Sequence, residues 1–359
     1  MRRHLAIAAR LVLIGLSGAS TAAAQQPQRF TASERRLEIY DAAGTVTLRR
    51  GAGSDIVIAA TRAGPDGEGL TFGLDHAGDR AVFRVVFPVD RIDRIAGPMD
   101  AHGGRTSLRL RADGTFGGDR DEELPRARGG AEIEIGGSGG FRGWGNLEIA
   151  VPAGREVRVH LAAGRASLAG VAGDYTLDTW GADVQATDIE GHFLFDTGSG
   201  DVTISGAKGT LRLDTGSGDC RVEHVTGDLL DVDTGSGNAV ATDATVTRSR
   251  FDTGSGDVTL RSFRSPTTLI DTGSGAADIE FGEGPIDDLS IDTGSGGVRL
   301  KLPRVLNARL EADPGSGGVN VIRSGAIFER RDEDHLVLRF GDGRGRIKID
   351  TGSGGVTIR

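Results

Sequence analysis

Residues 251–260 read Phe251-Asp252-Thr253-Gly254-Ser255-Gly256-Asp257-Val258-Thr259-Leu260, and the second half of the chain is built from copies of this decade. Asp-Thr-Gly-Ser-Gly begins at Asp196, Asp214, Asp233, Asp252, Asp271, Asp292 and Asp350, with a variant at Asp313 in which Pro314 stands for Thr. Successive starts lie 18, 19, 19, 19, 21, 21 and 37 residues apart. A fixed period near 20 is the mark of a repeat architecture. The last interval, close to two periods, predicts a degenerate or looped-out copy near Asp332. Upstream, Asp178-Thr179-Trp180-Gly181 and Leu161-Ala162-Ala163-Gly164 read as eroded copies.

The flanks show why the unit folds. The residue before each motif Asp is apolar: Phe195, Leu213, Val232, Phe251, Ile270, Ile291, Ala312 and Ile349. Six and eight residues after the Asp come Val202 and Ile204, Cys220 and Val222, Val258 and Leu260, Val298 and Leu300, Val356 and Ile358. Each flank alternates with period two, as a strand with one buried face does. The two inward sets are an odd number of residues apart, so the chain must bend within Thr-Gly-Ser-Gly. The two glycines are expected there at positive φ, which costs Gly nothing. The motif Asp and Ser are expected to hydrogen-bond corner amides.

Such a unit buries too little alone and must stack on its neighbours. The expected fold is therefore all-β, a single elongated β-solenoid of the β-helix kind with coils of about 19 residues. Like residues would then stack about 4.8 Å apart. The alternative is an antiparallel β meander in which each motif is a hairpin turn.

Arg2 and Arg3, the apolar run Leu11-Val12-Leu13-Ile14-Gly15-Leu16 and the small residues Ala22-Ala23-Ala24 follow the plan of a secretory signal peptide. The expected organisation is a signal peptide over 1–24, a divergent β-rich N-terminal region or cap over 25–154 with a mobile excursion at 90–130, and a repeat domain over 155–359. In the middle region Tyr40–Leu48 follows a shortened form of the repeat, and strands are predicted at 55–60, 81–87, 107–111, 131–135 and 146–151. No later run approaches the roughly 18 apolar residues of a spanning helix. The destination expected is the periplasm, the cell surface or the medium.

The chain carries 42 basic and 51 acidic residues, a formal net charge of −9. That balance argues against nucleic acid, whose phosphates call for clustered Lys and Arg. Cys220 is the only cysteine, which rules out an intramolecular disulfide. It holds the inward position taken elsewhere by Val202 and Val258, and reads as a buried small apolar residue.

The chain resembles a bacterial adhesin-like family of unknown function whose members carry serial Asp-Thr-Gly-Ser-Gly-Asp-Val repeats. The matching residues are Phe195–Val202, Leu213–Asp219, Phe251–Leu260, Ile291–Leu300 and Ile349–Ile358, and Ile149–Gly154 fits the same style more loosely. The resemblance implies an exported β-solenoid with an adhesin-like role and brings no catalytic residues with it.

Phe195-Asp196-Thr197-Gly198-Ser199 matches the active-site loop of pepsin-like aspartic proteases. Such enzymes need two aspartates sharing one proton, and seven evenly spaced copies do not make a dyad. A stacked aspartate ladder raises calcium instead. Unit charges 4.8 Å apart repel by roughly 0.9 kcal/mol even in water, and calcium accepts carboxylate oxygens. The calcium candidates are Asp196, Asp201, Asp214, Asp219, Asp252 and Asp257; no other cofactor is expected. Gly297, Gly318 and Gly355 replace the second Asp later in the array. His76, His102, His160, His192, His224 and His335 show no metal-ligand spacing and read as incidental. Trp144, Tyr175 and Trp180 are the aromatics able to stack on sugar rings, with packing at an end or seam as the plainer role.

The reading is a non-enzymatic, exported interaction protein of the surface or envelope whose ligand is a protein or a glycan. A carbohydrate-active or carbohydrate-binding β-helix protein and a structural spacer are the alternatives.

Overall fold

The computed structural model describes residues 26–96, 106–117, 129–137, 139–332 and 335–359. The expected signal peptide lies outside the described residues, as do positions 97–105 and 118–128 of the excursion. Among the described residues, a 24-stranded sheet carries the fold and a 3-stranded sheet sits beside it.

Within the array the pairing is parallel and motif lies beside motif. Asp178 pairs with Asp196, Asp196 with Asp214, and Asp233, Asp252, Asp271 and Asp292 follow in register. On the far side of the corner Val202, Cys220, Ala239, Val258, Ala277 and Val298 form a matching column. Equal residues at equal positions present each layer with a copy of its own surface, which favours stacking. The hairpin meander does not hold for the array. The inward columns make the core: Phe195, Leu213, Val232, Phe251, Ile270, Ile291 and Ile349 are all buried.

The layers continue into the N-terminal region. Arg36–Arg50 stacks on Arg155–Ala169, with Gly44 beside Gly164, Val46 beside Ala166 and Leu48 beside Leu168. Strands occur at Ile56–Ala63, Arg80–Val86, Thr106–Leu110, Ala131–Ile135 and Trp144–Val151. Antiparallel pairing of Ile56–Ala63 with Gln28–Ala32 and with Trp144–Val151 closes this end. Arg94–Ile95 and Thr106–Leu110 of the excursion form the small second sheet with Ala131–Ile135, and the sheet's Ile95, Leu108, Leu110, Ile133 and Ile135 join the main core.

At the other end the structure departs from expectation. Among the described residues no degenerate repeat lies near Asp332. Instead Ile327–Arg331 and Leu336–Phe340 form an antiparallel hairpin, and Leu336–Phe340 covers Ala308–Asp313. The chain then turns back, and Gly345–Thr351 enters between Asp288–Thr293 and Ala308–Asp313, parallel to both. The copy that comes last in sequence is thus the penultimate layer in space. Pro314 suits that place: lacking an N–H, proline is tolerated at a sheet edge and disfavoured inside one, and the hairpin strand covers Ala308–Ala312 without reaching Pro314.

The motif glycines also correct the sequence reading. None of those in the Asp-Thr-Gly-Ser-Gly copies has positive φ. Their role is close approach between layers. A Cβ on Gly218, Gly237, Gly256 or Gly275 would lie far inside contact distance of the carbonyl oxygen of the equivalent glycine one layer back. The left-handed backbone sits elsewhere, in a second column of Gly173, Gly191 and Gly209, where the strand bends ahead of the motif.

Candidate functional site

The motif threonine closes the corner. Because the chain bends there, Thr197, Thr215, Thr234, Thr253, Thr272, Thr293 and Thr351 all point inward and are buried. A buried hydroxyl needs a partner, and the carbonyl three residues on provides it. Thr197 donates to Gly200 at 2.8 Å, Thr253 to Gly256 at 2.6 Å and Thr293 to Gly296 at 2.6 Å. In other copies the glycine amide donates to the threonine oxygen, as Gly237 does to Thr234 at 2.8 Å. Sequence reasoning gave this role to Asp and Ser.

The motif aspartates form a column on the outer side. Burial and their aspartate neighbours raise the carboxyls of Asp214, Asp252 and Asp292 above the ordinary range. Side-chain cations relieve part of the column: Arg250 contacts Asp252 at 2.5 Å and Asp233 at 3.2 Å, and Lys348 contacts Asp350 at 2.6 Å.

The second aspartate of the repeat has a different task. Asp201 donates its amide to Asp183 Oδ1 at 3.2 Å, and Asp219 to Asp201 Oδ1 at 2.9 Å. Asn238 donates to Asp219 at 2.8 Å, Asp257 to Asn238 at 3.0 Å and Ala276 to Asp257 at 2.7 Å. Each side-chain oxygen accepts the amide of the next layer, giving a staircase of bonds along the array that are charge-assisted wherever the acceptor is a carboxylate. Of the calcium candidates, Asp196, Asp214 and Asp252 thus stand in the outer column, while Asp201, Asp219 and Asp257 are engaged by backbone. Among the described residues no three His, Cys, Asp or Glu side chains converge as a cation site.

The staircase stops at Ala276. In the following layers its position is Gly297, Gly355 and Gly318, and the missing side chains leave an open groove of about 520 Å³ walled by Arg299, Asn320 and Thr357.

A second polar cluster, which sequence reasoning missed, lies near the N-terminal end. His160 Nε2 is 3.2 Å from buried Glu38, and His160 Nδ1 is 3.3 Å from Asp178. Tyr40 donates to Glu38 at 2.6 Å and stacks on the imidazole at 4.5 Å; Arg80 reaches Glu38 at 3.1 Å. Burial alone would push the imidazole down, but the bonds and charges of Asp178 and Glu38 outweigh it and raise its pKa to about 9. Burial works against Glu38 as well, yet His160, Tyr40 and Arg80 hold its carboxyl below the usual value. With both ring nitrogens on carboxylates, His160 has none left over for proton transfer to a substrate. The available signal was Glu38 and Tyr40 on what should have been a solvated strand face. Phe116 covers that face, edge-on to Tyr40 at 5.8 Å and to Trp180 at 5.9 Å.

Asp41, next in the strand, is fully buried; Oδ1 accepts the Ala43 amide at 3.2 Å and Oδ2 has no hydrogen-bond partner among the described residues. Burial pushes its carboxyl well up. Tyr175 is buried and stacked on Phe193 at 5.2 Å, so it offers no sugar platform. Cys220 is buried, and burial followed by the charges of Asp219 and Asp201 pushes its thiol up to about 12, a protonated and unreactive state.

The array with its corner and staircase is also where the chain matches known sequences. One family model covers residues 139–359. The chain belongs to the Toastrack DUF4097 family. The toastrack region takes in the parallel layers, the inserted last copy and the groove. No curated protein matches the chain. A crystal structure described as a "putative cell adhesion protein" from Clostridium sporogenes is similar at 10% identity, covering 93% of this chain and 99% of that one, with a TM-score of 0.21. Among the described residues of this toastrack protein, no helix is long and apolar enough to cross a membrane.

Proposed function

We propose that this protein is an exported, non-catalytic β-solenoid of the cell envelope, each repeat of about 19 residues forming one coil, and that its outer surface binds a ligand on a cell or in the surrounding matrix. The observation that carries the reading is how the repeated residues are used. Thr closes the corner, Gly allows close stacking, and the second Asp joins one layer to the next. These residues build a scaffold, and what remains for recognition is the solvated strand face and the groove at its C-terminal end. The closed His160 cluster supports a structural role for a group of titratable side chains that resembles catalytic machinery.

Fractionation of cells producing the full chain tests export, with a chain lacking residues 1–24 as the control; retention of both in the cytoplasm would overturn it. A glycan-array and cell-surface binding screen, with and without calcium, tests the interaction role. Turnover of a bound glycan in that screen would replace this reading with an enzymatic one. A melting temperature that rises with calcium and falls with chelator would restore the aspartates as a metal site. The groove favours glycan binding as the second reading, and a spacer with no ligand is the outcome if nothing binds.

A further inference from the structure

Each step of the staircase places an acceptor oxygen one layer behind an amide. Asp183, Asp201, Asp219, Asn238 and Asp257 supply those oxygens, and the five amides that follow them are all taken. The next three amides in the column belong to Gly297, Gly355 and Gly318. The residues behind them are Ala276, Gly297 and Gly355, which have no side-chain oxygen to offer. Among the described residues these three N–H groups make no hydrogen bond within the chain. They line the same groove as Arg299, which is exposed and in no ion pair among the described residues.

We propose that this groove binds a polymer of carboxylated sugars, a ligand carboxylate taking the place that Asp201 or Asp219 holds upstream. The proposal rests on the reading of the protein as a binding scaffold and names its ligand. Three features select the chemistry. The donors are the equivalents of upstream amides that bind carboxylate oxygens at 2.7–3.2 Å. Arg299 adds a guanidinium suited to a carboxylate. The third is the groove wall: Asn320 and Thr357 present amide and hydroxyl side chains that can bond sugar hydroxyls. A uronic-acid chain carries a carboxylate together with free hydroxyls, whereas an acidic peptide carries carboxylates alone. The protein's overall negative charge does not prevent this, because screening confines its reach to about 8–10 Å at ordinary salt and the local unpaired charge is Arg299.

The test is calorimetric titration of the full folded protein with an oligogalacturonate long enough to cross three layers, in EDTA so that calcium cannot bridge carboxylates. Its methyl-esterified form and poly-L-glutamate serve as comparisons. The acid form should bind, and the methyl ester at least tenfold more weakly. The triple substitution A276D/G297D/G355D continues the protein's own staircase and closes the groove; it should weaken binding at least tenfold with an unchanged or higher melting temperature. Arg299→Ala, on an exposed side chain, should also weaken binding and carries the test if the triple variant misfolds. Absence of galacturonate binding by the wild type, or unchanged binding by the folded variants, overturns the proposal. Poly-L-glutamate binding as tight as galacturonate overturns it in favour of an acidic peptide. If galacturonate fails while the protein still binds surfaces in the broader screen, the groove assignment falls and the scaffold reading stands.

Discussion

Asp350 lies in parallel register beside Asp292, although Asp313 is the nearer copy in sequence. The last strand of the chain has entered the sheet from outside and separated two repeats that follow one another along the backbone. A terminal strand so placed locks the end of the array, since it cannot leave without opening pairs on both sides.

Deleting Gly345–Arg359 should therefore do more than remove one layer. Ile347, Ile349, Val356 and Ile358 are buried, and at about 1.5–3 kcal/mol for each buried aliphatic side chain the loss is on the order of 6–12 kcal/mol. Limited proteolysis should then cut within Ala308–Asp313, which stays protected in the full chain. Continued protection of the Asp313 copy would show that the inserted strand is dispensable.

The corner hydroxyl is open to an isosteric test. Thr293→Val keeps the shape and leaves Gly296 without its 2.6 Å donor, a cost of about 1–3 kcal/mol for a buried group losing its partner. Thr293→Ser keeps the hydroxyl and should cost less. Urea unfolding of the two variants gives the order directly.

Glycines of one repeat should differ sharply in tolerance. Gly256→Ala drives a methyl into the Gly237 carbonyl and should destabilise by about 3 kcal/mol or more, as overpacking does. Gly318→Ala meets nothing within 4 Å and has no positive φ to strain. It should be neutral or gain up to about 1 kcal/mol through the unfolded chain. Equal effects would mean that layer contact is not what selects glycine.

The His160 cluster sets a pH window. Its folded pKa of about 9 lies above the ordinary 6.5, so its contribution is complete below about 6.5 and disappears as pH rises through 9. His160→Gln should lower the melting temperature most near pH 6 and least above pH 9. A gap independent of pH would point to packing alone.

Asp41 should behave in the opposite sense. Its carboxyl titrates well above the ordinary 3.8 in the folded state, so it destabilises the fold increasingly as pH rises above that value. Asp41→Asn can keep the Ala43 bond and cannot ionise. It should melt higher than the wild type at neutral pH, with the difference vanishing as pH falls towards 4.

Much of this fold was legible because each repeat carries its own instruction. The apolar residues before the motif Asp, and six and eight after it, announced two strands, and the strands formed. The candidate site was less legible. The staircase is visible in sequence only as Asp201, Asp219, Asn238 and Asp257 at one position, and its meaning needs the layer distance. The His160 cluster joins Glu38, Tyr40, Arg80, His160 and Asp178, residues brought together only by stacking of distant strands.

The sequence by itself determined the β class and the two-strand unit, and favoured stacking of like on like over a hairpin meander, because period-two burial and a repeated motif are local properties that act in every copy. Tertiary structure alone decided the order of the layers at the C-terminal end, the reason for the glycines and the open amides of the groove. Those depend on which backbone lies one layer away. An edge that Pro314 tolerates, a hairpin at 327–340 and a late strand compete for that place, and the contest is settled by pairing across the whole sheet.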